Sequence, residues 1–500
     1  MSRQETRAAL LFALSLVPFI LLCAVNSAGY RYGASDQAFY VPAVLARLDP
    51  SLFPRDGALI ASQAHLTLID ETVAALARAT GATLPVLLAW LYAGSLALLA
   101  GAAWLIARSL YRSRWTALAL LAALTLRHAI WRTGTNSLEG YFHPRQLAFG
   151  FGALAIAALL RGRLLGAAAL VAVAAMLHPT TALWFAVWIA VAASINWARG
   201  GRSRRWWRVA TAAALAAVAV LWLVVAGPLA GRLVRMDPEW LATLVTKDYL
   251  FPLDWPILVW AINLAYIPII LFVYRYRVMA GAVTEPEPAL VAGCLSLAII
   301  FGAALPFNAA RLALAVQLQI PRVFWMLDLL ATVYVVWALA EGARPTTRRA
   351  QWVAAIVVVA SIARGGFVML VGFPERAVAR IDVRDDDWGR TMAWARTTRA
   401  HSGWIADPLH AIKYGTSVRV AGARDVLVEG VKDAAIGMYD RAVAMRTRDR
   451  LLALGDFDRL TADRARQLGA DYDLDFLVTE APLDLPLAFE SGTLRVYRLR

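Results

Sequence analysis

The chain has 500 residues, of which 60% are hydrophobic and only 17% charged, and its net charge is +15. Soluble domains have about a quarter charged residues and at most about half apolar ones, so this composition excludes a soluble enzyme, a disordered chain and a secreted disulfide scaffold. Arginine supplies nearly all of the positive charge and lies largely between apolar segments, which favours orientation in a membrane over nucleic-acid binding. Cys23 and Cys294 both lie inside apolar segments, so we expect neither a structural disulfide nor a cysteine metal site.

The apolar segments predict a polytopic α-helical membrane protein. A helix that crosses the hydrocarbon needs about 20 apolar residues, and eleven segments approach that length. They are 8–28, 84–106, 115–131, 146–160, 164–177, 181–197, 209–230, 256–273, 288–306, 323–342 and 351–372. The first resembles a signal peptide in part, but we expect an uncleaved helix because ten further spans follow. The spans at 115–131, 146–160 and 164–177 are short or interrupted, as expected of helices that line a polar cavity.

The distribution of arginine predicts the orientation. With a cytoplasmic N terminus, the loops on that side hold 17 Arg in 52 residues, whereas the opposite segments hold 12 Arg or Lys in 117 residues. This is the asymmetry that the positive-inside rule requires. We therefore expect a membrane domain over 1–373, with an outer loop at 29–83. The tail, 374–500, alternates charged helical stretches with period-2 stretches, which predicts an extracytoplasmic α/β domain.

Polar residues concentrate on the predicted outer side. All six His and all three Lys lie there, so we expect any chemistry at the outer face. The outer loop contains two amphipathic stretches, 36–47 and 65–79, which could lie flat on the membrane surface. Asp36 begins the first stretch, and it could either cap that helix or remove a proton from a hydroxyl group.

Three further outer clusters and the lone His178 supply candidate ligands for an anion. Their members are Glu139, His143 and Arg145 before the fourth span, His178 in a tight turn, Lys247 with Tyr249, and Arg311 with Arg322 before the tenth span. Arginine offers a forked pair of donors that suits phosphate, and charge-assisted bonds are stronger in a low-dielectric cavity. The alternatives are that Pro144 simply marks a helix start and that Arg311 and Arg322 snorkel towards water.

Two charged residues lie within predicted spans. Asp328 and Arg364 are each roughly 10 Å below the outer end of their helix, at about 1.5 Å per residue. Intramembrane charges are rare and usually paired, so we expect a structural Asp328–Arg364 ion pair. The sequence contains no nucleotide-binding, zinc-protease or nucleophile-elbow motif. Four acidic residues could supply the oxygen ligands that a divalent cation prefers, so the use of such an ion stays open. The candidates are Asp36, Asp56, Glu139 and Asp248.

The acid after the first span, the two surface helices, about eleven spans and the outer α/β tail together resemble the GT-C superfamily of glycosyltransferases. Gly33-Ala-Ser-Asp-Gln-Ala-Phe-Tyr40 is similar to the acidic first-loop motif of that family, although Gln37 stands where a second acid is common. Segments of uncharacterised bacterial members resemble Tyr141-Phe-His-Pro-Arg145, Leu177-His-Pro-Thr180 and Gln319-Ile-Pro-Arg322.

The resemblance implies an enzyme of the bacterial inner membrane that transfers a sugar from polyprenyl phosphate to an extracytoplasmic lipid, glycan or protein. Asp36 would be the general base on the acceptor hydroxyl, and direct attack would invert the anomeric configuration. Preorganised cations stabilise the charge of the departing lipid phosphate. The expected ligands are Arg145, Lys247, Arg311 and Arg322, with His143 as a supporting donor and Tyr40 and Tyr249 stacked on the sugar.

Two other classes of function remain open. A transporter or flippase would bind an anionic lipid without reacting, and it predicts inverted repeats with broken, paired spans, of which the sequence shows no sign. A non-catalytic protein of cell-envelope assembly would bind its partner through the tail, and Gln37 favours that reading. The classes differ in whether Asp36 must face a cavity together with Arg145 and Arg322.

Overall fold

Apolar helices make up most of the first three quarters of the chain. The computed structural model describes residues 3–64, 67–199, 218, 221–227, 229–342 and 346–500. The helices in its first part are α1 (Arg3–Asn26), α2 (Gln37–Leu48), α3 (Gly57–Ala64), α4 (Ile69–Thr80), α5 (Leu84–Leu110), α6 (Arg114–Leu124), α7 (Pro144–Leu160), α8 (Leu164–Leu177) and α9 (Pro179–Arg199). Those that follow are α10 (Pro238–Thr243), α11 (Ile257–Leu264), α12 (Tyr266–Met279), α13 (Glu287–Ala309), α14 (Ala313–Gln317), α15 (Val323–Ala340) and α16 (Thr347–Phe367). The tail contributes α17 (Asp387–Ala395), α18 (His410–Lys413), α19 (Gly430–Gly437), α20 (Arg441–Leu454) and α21 (Ala462–Asp471).

Among the described residues, seven segments are long and apolar enough to cross a membrane. They are Ala9–Asn26, Leu84–Leu110, Pro179–Arg199, Ile257–Met279, Glu287–Ala309, Ala313–Ala340 and Thr347–Gly372. Three shorter apolar helices, α6, α7 and α8, accompany them. The prediction of a polytopic helical protein is thus confirmed, and these ten segments coincide with ten of the predicted spans. Most of the predicted span 209–230 lies outside the described residues.

The predicted span 115–131 extends too far. Helix α6 ends at Leu124, and its 11 residues cover about 16 Å, which is well short of a hydrocarbon layer of about 30 Å. Arg127 lies beyond the end of the helix, where its Nε donates to the Leu138 carbonyl oxygen at 3.0 Å. The chain then forms a short antiparallel hairpin between Ala129–Ile130 and Thr135–Asn136.

Close packing fixes helix α7, which begins at the site described below. A Cβ atom on Gly152 would lie 2.1 Å from the Phe185 ring, so the absence of a side chain there lets α7 and α9 approach each other. About one turn earlier, the ring of Phe149 stacks on Trp325 with centroids 3.9 Å apart. Helix α7 therefore packs against both α9 and α15, and its first turn has a defined position.

The tail contains a mixed five-stranded sheet. The strands of the chain are β1 (Tyr30–Arg31), β2 (Ala129–Ile130), β3 (Thr135–Asn136), β4 (Ala379–Arg380), β5 (Gly403–Ile405), β6 (Asp425–Val426), β7 (Phe476–Thr479), β8 (Leu487–Ser491) and β9 (Leu494–Arg498). The sheet order is β6-β5-β7-β9-β8, with β5 parallel to β6 and β7 and with β9 antiparallel to β7 and β8. Strand β4 pairs in parallel with β1, which joins the tail to the first loop, 29–83.

A buried charge network also joins the tail to the first loop. The Arg419 guanidinium lies between Asp56, with Nε to Oδ2 at 2.7 Å, and Asp433, with Nη1 to Oδ1 at 2.6 Å. Arg446 also binds Asp56. Burial alone raises the pKa of the Asp56 carboxyl, but Arg419 and Arg446 outweigh burial and lower it. Because buried charges require such partners, the network holds α19, which carries Asp433, against the first loop.

The two amphipathic stretches of the first loop are helices α2 and α4, although residues 65 and 66 lie outside the described residues. Arg47 near the end of α2 binds Asp70 in the first turn of α4, with Nε to Oδ2 at 3.1 Å. Their position on a membrane surface stays a prediction.

Candidate functional site

A cavity of about 750 Å³ lies where the first loop, the first turn of α7, the segment before α15 and tail helix α19 meet. We call it the Asp36 cavity. It is lined by Asp36, Phe39, Tyr40, Gly134, His143, Arg145, His178, Lys247, Tyr249, Gln319, Arg322, Val431, Lys432, Ala435, Ile436, Met438 and Tyr439. Eight residues that the sequence singled out for catalysis or binding are in this lining, although they are scattered along nearly 300 positions of the chain.

The Asp36 carboxylate faces the cavity. Although Asp36 occupies the N-cap position of α2, its side chain forms no capping hydrogen bond, so the capping alternative is wrong. Instead Lys432 Nζ donates to Oδ1 at 2.8 Å, and His143 Nε2 lies 3.2 Å from Oδ2. The preceding residue, Ser35, has a φ of 51°, a left-handed conformation that is costly for a residue with a side chain and is often found at functional sites.

Hydrogen bonds determine the tautomer of His143. Its Nδ1 accepts the backbone N–H of Arg145 at 3.0 Å and so caps α7, which leaves the ring proton on Nε2, directed at Asp36. Burial and the charge of Arg145 lower the pKa of His143 to about 3, so the ring is neutral at neutral pH. Burial raises the pKa of Asp36, but Lys432 and the His143 hydrogen bond lower it more, and the net pKa is well below the usual range. Asp36 is therefore an anion.

Gln37 has a structural role that a second acid could not fill. Its Oε1 accepts the backbone N–H of Gly33 at 2.6 Å, and its Nε2 donates to the Phe142 carbonyl oxygen at 3.1 Å. An ionised carboxylate only accepts hydrogen bonds, so it would repel the carbonyl oxygen of Phe142. Gln37 thus ties the first loop to the segment before α7 and brings Asp36 beside His143.

Arg322 is a buried cation without a described partner. Its side chain is only 7% exposed, and neither Nε nor Nη1 forms a hydrogen bond within the described part of the chain. Gln319, three residues earlier, has a φ of 48° and donates from Nε2 to the Tyr439 hydroxyl at 2.8 Å. Burial of an unpaired charge is costly, so this guanidinium is available for an anionic ligand that the cavity would admit.

A hydrogen bond to Glu139 fixes the orientation of the Arg145 side chain. The Nη2 atom of Arg145 donates to Glu139 Oε1 at 2.9 Å, and its Nη1 donates to the Gly134 carbonyl oxygen at 3.1 Å. Glu139 itself does not line the Asp36 cavity. Burial raises the pKa of the Glu139 carboxyl, and the charge of Arg145 offsets only part of that rise. We conclude that Glu139 positions Arg145 and has no direct access to a ligand in this cavity.

Lys247 completes the basic lining. Its Nζ donates to the Val431 carbonyl oxygen at 2.9 Å, and burial, followed by the charge of Lys432, lowers its pKa to about 8. Within the described lining, four basic side chains, namely Lys247, Lys432, Arg145 and Arg322, face a single acid, Asp36. The cavity therefore attracts anions.

The aromatic residues and His178 form the remaining walls. The Tyr40 ring meets the His143 ring edge-on, with centroids 5.3 Å apart. Tyr249 packs so closely on Gly134 that a Cβ atom there would lie 3.0 Å from its ring. His178 Nδ1 accepts the Thr181 hydroxyl at 3.0 Å, so this histidine mainly stabilises the start of α9.

The sequence patterns did not identify the tail residues that line the cavity. Lys432, Met438 and Tyr439 belong to α19 and the residues after it, yet no tail residue was expected at the site. One feature pointed to Lys432: the chain has only three lysines among 50 basic residues, and two of them line this cavity.

Arg311 does not belong to the cavity. Its Nη2 lies 3.2 Å from Asp254 Oδ2, and its guanidinium lies 4.3 Å from the centroid of the Phe251 ring. The expectation that Arg311 binds phosphate beside Arg322 is therefore wrong. An acid is available to Arg311 in the segment before α11, and none of the described residues offers one to Arg322.

The predicted Asp328–Arg364 ion pair does not form. Arg364 Nη1 donates to the carbonyl oxygen and the side-chain Oδ1 of Asn26, at 2.9 and 2.8 Å. Asp328 instead lies 3.6 Å from His128 Nδ1. The sequence gives the distance of each residue from the end of its helix, but it does not determine the face of the helix on which the side chain lies.

The four candidate metal ligands are separated and occupied by cations. Asp36 binds Lys432, Asp56 binds Arg419, Glu139 binds Arg145 and Asp248 binds Arg132. In the described ranges, no group of three or more His, Cys, Asp or Glu side chains is placed to hold a metal ion.

Comparison of the chain with models of known protein families and with curated proteins finds no match.

Proposed function

We propose that this chain is an integral-membrane glycosyltransferase of the GT-C type, which moves a sugar from a polyprenyl-phosphate donor to an acceptor hydroxyl. The observation that carries the proposal is the placement of two groups in one cavity: an ionised carboxylate, Asp36, and a buried guanidinium, Arg322, whose Nε and Nη1 have no hydrogen-bond partner among the described residues. Sugar transfer from a phosphate needs both groups: a base for the attacking hydroxyl and a cation for the phosphate that leaves.

Asp36 acts as the general base. Each of its oxygens has one donor, Lys432 or His143, and an ionised carboxylate has about four acceptor sites in all, so an acceptor hydroxyl can still bind. The hydroxyl oxygen forms a bond to the anomeric carbon while its proton passes to Asp36. The bond from that carbon to the phosphate oxygen breaks, and its electron pair leaves with the phosphate. A single displacement of this kind inverts the anomeric configuration.

Arg322 and Lys247 stabilise the departing phosphate. Preorganised donors lower the activation barrier most when they lie in a low-dielectric site at the place where negative charge develops. Arg145, fixed by Glu139, adds a third cation at the wall shared with Asp36. Tyr40 and Tyr249 offer aromatic surfaces on which a sugar ring can stack.

The lipid part of the donor enters from the membrane. The cavity lies at the first turn of α7 and directly before α15, both of which are apolar helices. With the orientation that the arginine distribution predicts, the cavity opens at the extracytoplasmic leaflet of a bacterial inner membrane. There, a bound polyprenyl-phosphate sugar would place its phosphate beside Arg322, and the α/β tail would lie on the acceptor side.

The test is an Asp36→Asn substitution assayed in membranes of cells that make the protein, so that the natural acceptor is present. Release of polyprenyl phosphate is measured with a panel of polyprenyl-phosphate-linked pentoses and hexoses. Asp36→Asn should keep the wild-type melting temperature within a few degrees and lose about a hundredfold or more in transfer, as general-base catalysis contributes about 10²–10⁴. Asp49→Asn, an exposed acid in the same loop, is the matched control and should stay active. Full transfer by Asp36→Asn would refute the assignment.

A further inference from the structure

A second cavity adjoins the first. It is an open cleft of about 1110 Å³, including the solvent space at its mouth, and it shares Asp36, Gly134 and Arg145 with the Asp36 cavity, so these three residues form a common wall. Its other walls come from the end of α1, the hairpin after α6 and the residues that follow the last apolar helix. It therefore lies at the ends of apolar helices, and the reaction proposed above uses only its shared wall.

Arginines dominate this second cavity. Beyond the shared Arg145, it is lined by Arg31, Arg127, Arg132 and Arg376, and we call it the arginine cavity. Its two acids are occupied: Asp36 by Lys432 at 2.8 Å and Glu139 by Arg145 at 2.9 Å. The charge of the remaining guanidinium groups is thus not neutralised from within the lining.

Arg31 and Arg127 are the least compensated of these groups. The Nε of Arg31 is buried without a hydrogen-bond partner, and Arg127 Nε donates only to the neutral carbonyl oxygen of Leu138. Neither forms an ion pair within the part of the chain that the structure describes. By contrast, Arg132 Nε lies 3.2 Å from Asp248 Oδ2, and Arg376 Nε lies 3.4 Å from the exposed Glu375.

The electrostatics agree with this geometry. Burial, followed by the charges of Arg376 and Arg380, lowers the pKa of Arg31 to about 10. A cation that is opposed both by burial and by its neighbours gains from any anion placed among them. Several converging guanidinium groups present the forked donor pairs that match the oxygens of a phosphate.

We propose that the arginine cavity is a second anion site, distinct from the donor site, which binds a phosphate group of a molecule at the membrane boundary. Because Asp36 lies in the wall between the two cavities, a molecule held there reaches the base from the side opposite the donor. It is then the acceptor, which makes the acceptor an anionic, phosphate-bearing molecule. That last step rests on the proposed glycosyltransferase function, whereas the binding site itself does not.

The experiment measures lipid binding to the full-length chain by native mass spectrometry after purification in detergent. The probes are phosphatidic acid, which presents a phosphate monoester, and phosphatidylcholine as a zwitterionic reference. The wild-type protein should retain phosphatidic acid in preference to phosphatidylcholine. Arg31→Gln and Arg376→Gln should each lower its apparent affinity by about tenfold, which is the loss of one charge-assisted hydrogen bond. Arg376 is only partly buried, so its variant should still fold if Arg31→Gln does not.

The matched control is Arg163→Gln, an exposed arginine in the turn between α7 and α8, which should bind phosphatidic acid as wild type does. Equal loss in Arg163→Gln and Arg376→Gln would show only general attraction of anionic lipid to basic residues and would overturn the proposal, as would wild-type binding by both cavity variants.

A second experiment, with a soluble ligand, distinguishes a lipid phosphate from a soluble phosphate compound. Inorganic phosphate is titrated into the same proteins in phosphatidylcholine nanodiscs and followed by calorimetry. Tight binding that depends on Arg376 would assign the site to a soluble phosphate compound and overturn the lipid source. Asp36→Asn should bind phosphatidic acid at least as well as wild type, since it removes a negative charge from the wall. Failure of sugar transfer therefore leaves this result intact, and loss of lipid binding leaves the transfer test intact.

Discussion

Replacement of Arg322 by methionine should change stability and ligand binding in opposite directions. Arg322 is buried, and two of its N–H groups lack partners within the described chain. Methionine has a similar length but carries neither the charge nor the donors. If Arg322 were a structural residue, its loss would destabilise the protein. If it binds a phosphate, its loss should remove the free-energy cost of burying an unpaired charge and should also weaken the binding of phosphate.

The structure sets the magnitudes. Each buried donor without a partner costs about 1–3 kcal/mol, so Arg322→Met should raise the free energy of unfolding by about that amount after some loss of packing. A hydrogen bond to a charged group contributes about 1.5–3 kcal/mol, and a tenfold change in affinity is about 1.4 kcal/mol. Affinity for a polyprenyl monophosphate should therefore fall roughly ten- to a hundredfold.

Farnesyl phosphate is a suitable ligand for this measurement, with binding followed by calorimetry in detergent and stability by the intrinsic fluorescence of the 19 tryptophans. Arg311→Met is the matched control because Arg311 lies on the same segment but binds Asp254 outside the cavity. It should leave the Kd unchanged and should not raise the Tm. A lower Tm together with an unchanged Kd in Arg322→Met would refute the reasoning.

Three further predictions concern charges near the cavity. Affinity for farnesyl phosphate should fall as the pH rises from about 7 to about 9.5, because Lys247, with a pKa of about 8, loses its charge in that interval; Lys247→Met should bind weakly and show no such inflection in calorimetry. Lys432→Met removes a cation that lowers the pKa of Asp36, so Asp36 becomes protonated at a higher pH and the acidic limb of the transfer profile should move upward; an unmoved limb would mean that another group limits the rate. Asp56→Asn removes one partner of a buried ion pair, which costs about 3–5 kcal/mol, and should lower the melting temperature and expose the tail to protease. Glu490→Gln, in a half-exposed pair, is its control and should cost less than about 1 kcal/mol; equal effects would contradict the buried network.

Local sequence determined the helices and the kinds of residue at their ends. The apolar segment at 164–177 matches helix α8, Leu164–Leu177, because hydrophobic length and the following His-Pro dipeptide are properties of neighbouring residues. The same holds for the start of α7, where Pro144 takes the first helical position. Asp36 and Arg145 were identifiable for a related reason: an ionisable residue beside an apolar segment is costly to bury and is therefore a candidate for a functional site.

Only the tertiary structure decided which of these charges meet. The reasons for choosing Arg311 and Arg322 from the sequence were the same, yet Asp254 pairs with Arg311, whereas Arg322 has no acidic partner among the described residues. The partner of Asp36 is Lys432, 396 positions away. A pattern in neighbouring residues records the face and length of a helix, but it carries no information about rotation of one helix relative to another or about contacts across hundreds of residues, which depend on the packing of the whole chain.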